Sequence, residues 1–152
     1  MERYGLMNIN VLSKKDFVST LTANNITDES VSSCEQYFIC IDSTGGPEST
    51  AYFEHQHDNV IRLVFDDVEA DCSNWGPDIQ AYYNAVAMRE EQAQLLFEFI
   101  KIIPKNSTIN IHCAKGQSRS VAIKSFILNE DAGNPHVLKL LRKVSGLFNQ
   151  RT

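Results

Sequence analysis

At 152 residues, with 43% hydrophobic and 22% charged residues, the chain has the length and composition of one soluble globular domain with a sizeable core. A net charge of −5 argues against a general binder of nucleic acid or membrane surfaces, while leaving room for a local basic pocket. No apolar run approaches the length of a membrane span, and Met1-Glu2-Arg3-Tyr4-Gly5 carries no secretory-signal pattern.

Leu6 to Leu12 partly alternates and predicts a first strand. Ser13 as N-cap, with Asp16 in the first turn, then opens a short helix to about Leu21. Asn24 to Ser33 is a polar connection. Tyr37-Phe38-Ile39-Cys40-Ile41 is a continuous apolar run closed by Asp42-Ser43-Thr44-Gly45-Gly46-Pro47, the pattern of a buried central strand ending in a loop. Cys40 belongs to that core. His55-Gln56-His57 has a metal-ligating spacing, but no third or fourth ligand stands nearby, so the pair reads as solvent-exposed loop histidines. Val60 to Phe65 is a further strand, ending in Asp66-Asp67-Val68. Glu69 to Pro77 is turn-like and holds Trp75, and Asp78 to Asn84 fits a helical turn or two.

From Met88 to Lys101 the chain is strongly helical, with Ala93, Leu96, Phe97 and Ile100 on one face and Pro104 beyond its end. Thr108 to His112 is a strand, and Arg119 to about Asn129 a helix, stopped by Gly133-Asn134-Pro135. Asn134 as N-cap and Pro135 at N1 start a last helix, with Val137, Leu140, Leu141 and Val144 on one face. The sum is a single α/β domain over residues 1–152, with three or four strands in a central, mostly parallel sheet and helices on both faces. The four cysteines, at 34, 40, 72 and 113, have neither Cys-x-x-Cys spacing nor the density of a disulfide scaffold, so a reducing cytoplasm is the simplest setting.

The stretch from Ile109 to Ile123 carries the chemistry. A strand ends on Cys113, a polar loop containing Gly116 follows, and Arg119 opens a helix. A loop closing onto a helix N-terminus points the backbone N–H groups of Ala114, Lys115, Gly116, Gln117 and Ser118 at one spot, where the helix dipole adds positive potential. A phosphate monoester suits that cradle. Gly116 permits its tight curvature, and Arg119 adds a planar, bidentate fork. The same field stabilises a thiolate, so Cys113 is expected to ionise in roughly the 3.5–7.5 range instead of near 8.5. A thiolate beneath a bound phosphate is a nucleophile aimed at phosphorus. The bland alternative is an inert buried cysteine with a surface arginine nearby.

His112-Cys113, five residues, then Arg119-Ser120 resembles the His-Cys-x5-Arg-Ser/Thr signature of the cysteine-dependent protein tyrosine and dual-specificity phosphatases. The preceding His, the Gly at the loop's third position, the following Ser and the strand-then-helix context make the match more specific than Cys-x5-Arg alone. In order and type of elements the resemblance runs from about Asn8 to Phe148. It implies a phosphotyrosine protein phosphatase-like fold, with the catalytic loop at a strand's carboxyl end. It also implies that His112 orients the loop by hydrogen bonding and helps hold Cys113 ionised. Ser120 would stabilise the thiolate as it leaves a phosphocysteine intermediate.

Transfer to Cys113 needs a proton for the leaving oxygen. In similar phosphatases an aspartate delivers it from a loop after the strand that precedes the long helix. The candidates are Asp66, Asp67, Asp71 and Asp78. If Leu63 and Phe65 face one side of the sheet, Asp67 continues that side and Asp66 faces the other. Phe65-Asp66-Asp67-Val68 also resembles the Phe-x-Asp-Ile/Val element of small microbial and phage-type members, which selects Asp67. Asp66 and Asp78 stay as alternatives. Asp78 has the more usual spacing to Cys113 but, behind Pro77, reads as a helix-start residue.

The expected activity is therefore hydrolysis of a phosphorylated protein or peptide, on phosphotyrosine and also phosphoserine or phosphothreonine. No metal or cofactor is expected, because Arg119 and the loop amides supply the charge stabilisation. Lys115 stands where similar enzymes commonly carry small or acidic residues. A basic rim suits a substrate with more than one phosphate, and RNA 5′-triphosphatases of the superfamily carry a basic His there. An RNA 5′-end is thus the runner-up substrate, against which stand the acidic charge and the absence of a basic stripe. Two rivals are a catalytically inactive phosphate-binding module and a sulfur- or arsenic-handling Cys-x5-Arg enzyme, whose loops usually lack the preceding His. Oxidation of Cys113, capped as a disulfide by Cys40 or Cys72, is an expected regulatory route. No membrane partner is expected, and the oligomeric state is left open.

Overall fold

β2 (Gln36–Asp42) and β4 (Thr108–Cys113) are buried along nearly their whole length. Strands of that kind need cover on both faces and a neighbour on each side. β1 (Asn8–Ser13) and β3 (Val60–Val64) supply the neighbours, giving the order β1-β4-β2-β3 with every pair parallel. The computed structural model describes residues 7–46, 49–68 and 85–149. Within them the protein is α/β, with a four-stranded parallel sheet and four α-helices.

Alternation along β2 sends Phe38 and Cys40 to one face and Ile39 and Ile41 to the other. On the first face α1 (Lys14–Ala23) buries Phe17 and Leu21 against Phe38, Cys40 and Val60. On the second, α2 (Glu90–Ile102), α3 (Arg119–Leu128) and α4 (Pro135–Asn149) bury Leu96, Phe97, Ile123 and Leu141 against Ile109 and Ile111. The distribution follows from the strand order. The chain crosses from β1 to β2 and on to β3 in one direction, then returns from β3 to β4 in the other. Right-handed parallel connections place opposite directions of travel on opposite faces. The β2–β3 connection, residues 43–59, accordingly shares the face of α1. It has no α-helix among its described residues and covers that face with Phe53, which is fully buried, and Tyr52.

Local signals set the helix ends. Ser13 Oγ accepts from Asp16 N at 3.1 Å and starts α1. Asn134 Oδ1 accepts from His136 N and Val137 N at 2.9 and 3.1 Å and starts α4 at Pro135. Asn129, at φ 58°, closes α3 in the left-handed region that Asn tolerates. The expected helix at Asp78–Asn84, with Trp75 before it, lies outside the described residues. No helix among the described residues is long and apolar enough to cross a membrane.

One loop expectation is corrected. His57 is not a solvent-exposed histidine: its side chain is only 9% accessible, and Nε2 lies 2.7 Å from Asp28 Oδ1. Asp28 also accepts from Glu54 N and His55 N, so one carboxylate pins the whole 54–57 turn to the end of α1's connection. Burial alone would raise the Asp28 carboxyl, but these donors outweigh it and hold it at about 2.

Gly133, at φ +86°, packs so closely on α3 that a Cβ would lie 2.3 Å from Ala122 N and 2.6 Å from Ser118 O. Gly146, inside α4, has nothing within 4 Å of that position. Gly133→Ala is expected to destabilise by about 2–4 kcal/mol through strain and overpacking. Gly146→Ala should instead stabilise by roughly 0.5–1 kcal/mol. Urea midpoints at unchanged m-value check both.

Candidate active site

Because all strands run parallel, their carboxyl ends lie along one rim of the sheet, and the candidate residues collect there. β4 delivers Cys113, and the loop 114–118 turns directly into α3. That loop is pressed onto the β1–α1 junction. A Cβ on Gly116, at φ +68°, would lie 2.7 Å from Leu12 C and Ser13 N, so the tight turn requires glycine. Lys14 N donates to Ala114 O at 3.2 Å from the same junction.

Cys113 is 2% exposed. Its Sγ lies 3.0 Å from Ser120 Oγ and accepts from Ser120 N at 3.4 Å. Burial by itself raises the thiol. The Ser120 hydroxyl and the backbone amides of Ser120, Ser118 and Gly116 outweigh burial and hold Cys113 below its ordinary value.

Arg119 is 4% exposed and braced from below: Nη1 donates to Phe65 O at 2.7 Å and to Ser43 Oγ at 3.2 Å. Its Nε is buried with no partner among the described residues, an N–H that an anion in the loop would satisfy. Asp42, 2% exposed at the end of β2, pairs with Lys14, whose Nζ also donates to Thr50 O at 2.6 Å. Burial pushes the Asp42 carboxyl up, opposed by Lys14, Arg119 and Arg62. Sequence reasoning placed Asp42 at a loop boundary and passed over Lys14. A signal existed, since a lysine in the first turn of a helix opposes the dipole and needs an acidic partner.

The two carboxylates after β3 separate as the Leu63–Phe65 alternation requires. Asp67 is exposed and shares with Cys113, Ala114, Lys115, Gln117, Ser118 and Arg119 the lining of a cavity of about 360 Å³. Its Oδ1 accepts from Ser118 Oγ at 2.7 Å and from Asn134 Nδ2 at 2.6 Å. Asp66 turns the other way and acts as a clasp. It accepts from Thr44 N (3.0 Å), Thr44 Oγ1 (2.6 Å) and Val86 N (2.8 Å), while its own N–H donates to Val86 O at 2.6 Å. Burial would raise Asp66, but the Thr44 and Val86 donors prevail and hold it low. Asp71 and Asp78 lie outside the described residues. Lys115 and Gln117 are exposed at the cavity rim.

Comparison with protein-family models, with curated proteins and with solved structures found no match. The site therefore stands on its own geometry. Hollows of about 430 and 470 Å³ lie near Arg62 and near Cys34, and neither joins a thiol to a guanidinium.

The structure places His112 and corrects one expectation about Cys113. His112 points away from the cavity, to the face of α1, with its ring 4.3 Å from that of Phe17. It is fully buried, and neither ring nitrogen has a well-aligned hydrogen-bond partner among the described residues. Burial, then Lys14 and Arg119, push it down to about 3 against a weaker pull from the Cys113 backbone. The neutral ring packs beneath the strand against Phe17, and its tie towards the loop is through the Cys113 backbone. Cys40 stands opposite His112 in register and faces the α1 cluster, whereas Cys113 faces the other core. The two sulfurs are on opposite sides of the sheet, so the Cys40–Cys113 disulfide does not fit this fold. Burial, first, also raises the Cys40 thiol far above its ordinary range. Cys72 lies outside the described residues.

Ser120→Ala removes one donor from the thiolate, so the pH profile of Cys113 alkylation by iodoacetamide should move to higher pH. His112 sets a second pH dependence. Its folded-state value of about 3 lies below the ordinary 6.5, so between these the unfolded chain binds a proton that the folded chain does not. Stability is therefore complete above 6.5 and falls as pH drops towards 3, by up to about tenfold in the folding constant per pH unit. Urea midpoints of wild type and His112→Gln between pH 6.5 and 4.5 test this as a difference, because the raised Asp42 carboxyl contributes with the opposite sign in both. His112→Gln should flatten that slope.

Proposed function

We propose that the protein is a phosphomonoester hydrolase acting on phosphorylated proteins or peptides through a phosphocysteine, in the manner of the protein tyrosine and dual-specificity phosphatases. The observation that carries the reading is the Cys113 sulfur, held below its ordinary value at the start of α3, sharing one cavity with Arg119 and Asp67. Cys113 thiolate attacks phosphorus, the S–P bond forms, and the bond from phosphorus to the leaving oxygen breaks. Asp67 gives its proton to that oxygen. Water then attacks phosphorus, Asp67 takes a proton back, and inorganic phosphate leaves as the thiolate is released to the Ser120 donors. Arg119 and the amides of residues 114–118 hold the phosphoryl oxygens throughout. Thiolate chemistry of this kind suits a reducing compartment such as the cytoplasm.

One observation favours a second substrate class. Lys115 is exposed at the cavity rim, where it suits a substrate with a further phosphate, such as an RNA 5′-triphosphate. In that case Lys115→Ala lowers kcat/KM for the triphosphate and leaves aryl phosphate turnover unchanged.

The deciding experiment is release of phosphate from para-nitrophenyl phosphate and a phosphotyrosyl peptide in EDTA. Wild type is expected to turn over, Cys113→Ser to be inactive, and Asp67→Asn to lose about 10²–10⁴-fold on the peptide. Turnover that persists in Cys113→Ser would overturn the mechanism.

A further inference from the structure

Asn134 does more in this fold than begin a helix. It is 1% exposed and its backbone N–H donates to Ser118 O at 3.0 Å, so the start of α4 is docked on the start of α3. Its amide orientation is decided by its partners. Oδ1 accepts from His136 N and Val137 N, which leaves the two hydrogens of Nδ2 for Asp67 Oδ1 at 2.6 Å and Val68 O at 3.1 Å. Every polar atom of the side chain is used. A flip would set Nδ2 against two N–H donors, so the group facing Asp67 is a donor and only a donor.

That constraint reaches the Asp67 carboxyl. A proton on Oδ1 would meet an N–H that cannot accept it, whereas Ser118 Oγ, the other donor to Oδ1, is a hydroxyl able to reverse its role. We propose that Asn134 is a positioning residue that confines the exchangeable proton of Asp67 to Oδ2, which fixes the direction of proton delivery. The proposal rests on the reading of Asp67 as the acid. The bond from Nδ2 to Val68 O holds the backbone just after Asp67 as well, so carboxyl and main chain are aimed by one amide.

Asn134→Ser and Asn134→Asp both keep an oxygen acceptor to cap α4 and both remove the amide Nδ2, the group facing Asp67 that can only donate. The readout is kcat/KM over a series of aryl and alkyl phosphates of decreasing leaving-group acidity. If Asn134 aims the proton, Asn134→Ser is near wild type on the most acidic leaving groups. Its loss then grows to about 10- to 100-fold on the least acidic, parallel to but smaller than the loss in Asp67→Asn. In Asn134→Asp the donor is replaced by an acceptor facing Asp67 Oδ1, so the loss on the least acidic leaving groups should be at least as large as in Asn134→Ser. An Asn134→Ser loss that is uniform across leaving groups, or no loss at all, overturns the proposal while the phosphatase reading stands. A wild type that turns over none of these phosphates overturns both.

Discussion

The site is built on the burial of one guanidinium. Arg119 cannot lose its charge, so a position 4% exposed is tolerable only if the surroundings supply acceptors. They come from three directions: Phe65 O after β3, Ser43 Oγ after β2, and the field of Asp42. Each lies at a strand's carboxyl end, and a parallel sheet is what brings those ends together. The thiolate environment at Cys113 depends on the same arrangement, because the helix that begins at Arg119 carries Ser120 and its amide to the sulfur. Fixing the arginine and lowering the cysteine are one structural event.

Much of this was legible in the residue pattern. β2 and β4 announce themselves as unbroken apolar runs, Ser13 and Asn134 as caps, and Leu63, Phe65 and Asp67 as one side of a strand. These signals are local, repeating over two to four residues, and the structure follows them closely. What sequence reasoning missed lies in pairs far apart along the chain. Lys14 meets Asp42, His57 meets Asp28, and Asn134 meets Asp67, each through an approach that no periodicity encodes. The placing of His112 was not legible for a related reason. Its neighbour in sequence is Cys113 at the cavity, but alternation along β4 turns its ring to the other face of the sheet, against Phe17.

The two faces of the sheet consequently have different duties. The face of α2, α3 and α4 carries Cys113, from which the chain leads into the loop 114–118. The face of α1 holds a cluster of aromatic rings, Phe17, Phe38, Tyr52 and Phe53, packed edge to face with centroids 4.9 to 6.4 Å apart. Such rings supply apolar burial without a helix, which is how the β2–β3 connection covers its share of the sheet. Gly116 is the contact between the two halves, where the loop meets the backbone of Leu12 and Ser13.

The clasp between Asp66 and Val86 has a consequence for how this chain can change. Two reciprocal hydrogen bonds join positions twenty apart in sequence, and Thr44 locks the same carboxylate to the end of β2. The main chain at Asp66 and at Val86 is thereby joined beside the carboxyl end of β2. Substitution at Asp66 or Thr44 would therefore release two parts of the chain at once, the end of β2 and the segment that begins at Val86, although neither residue lines the cavity.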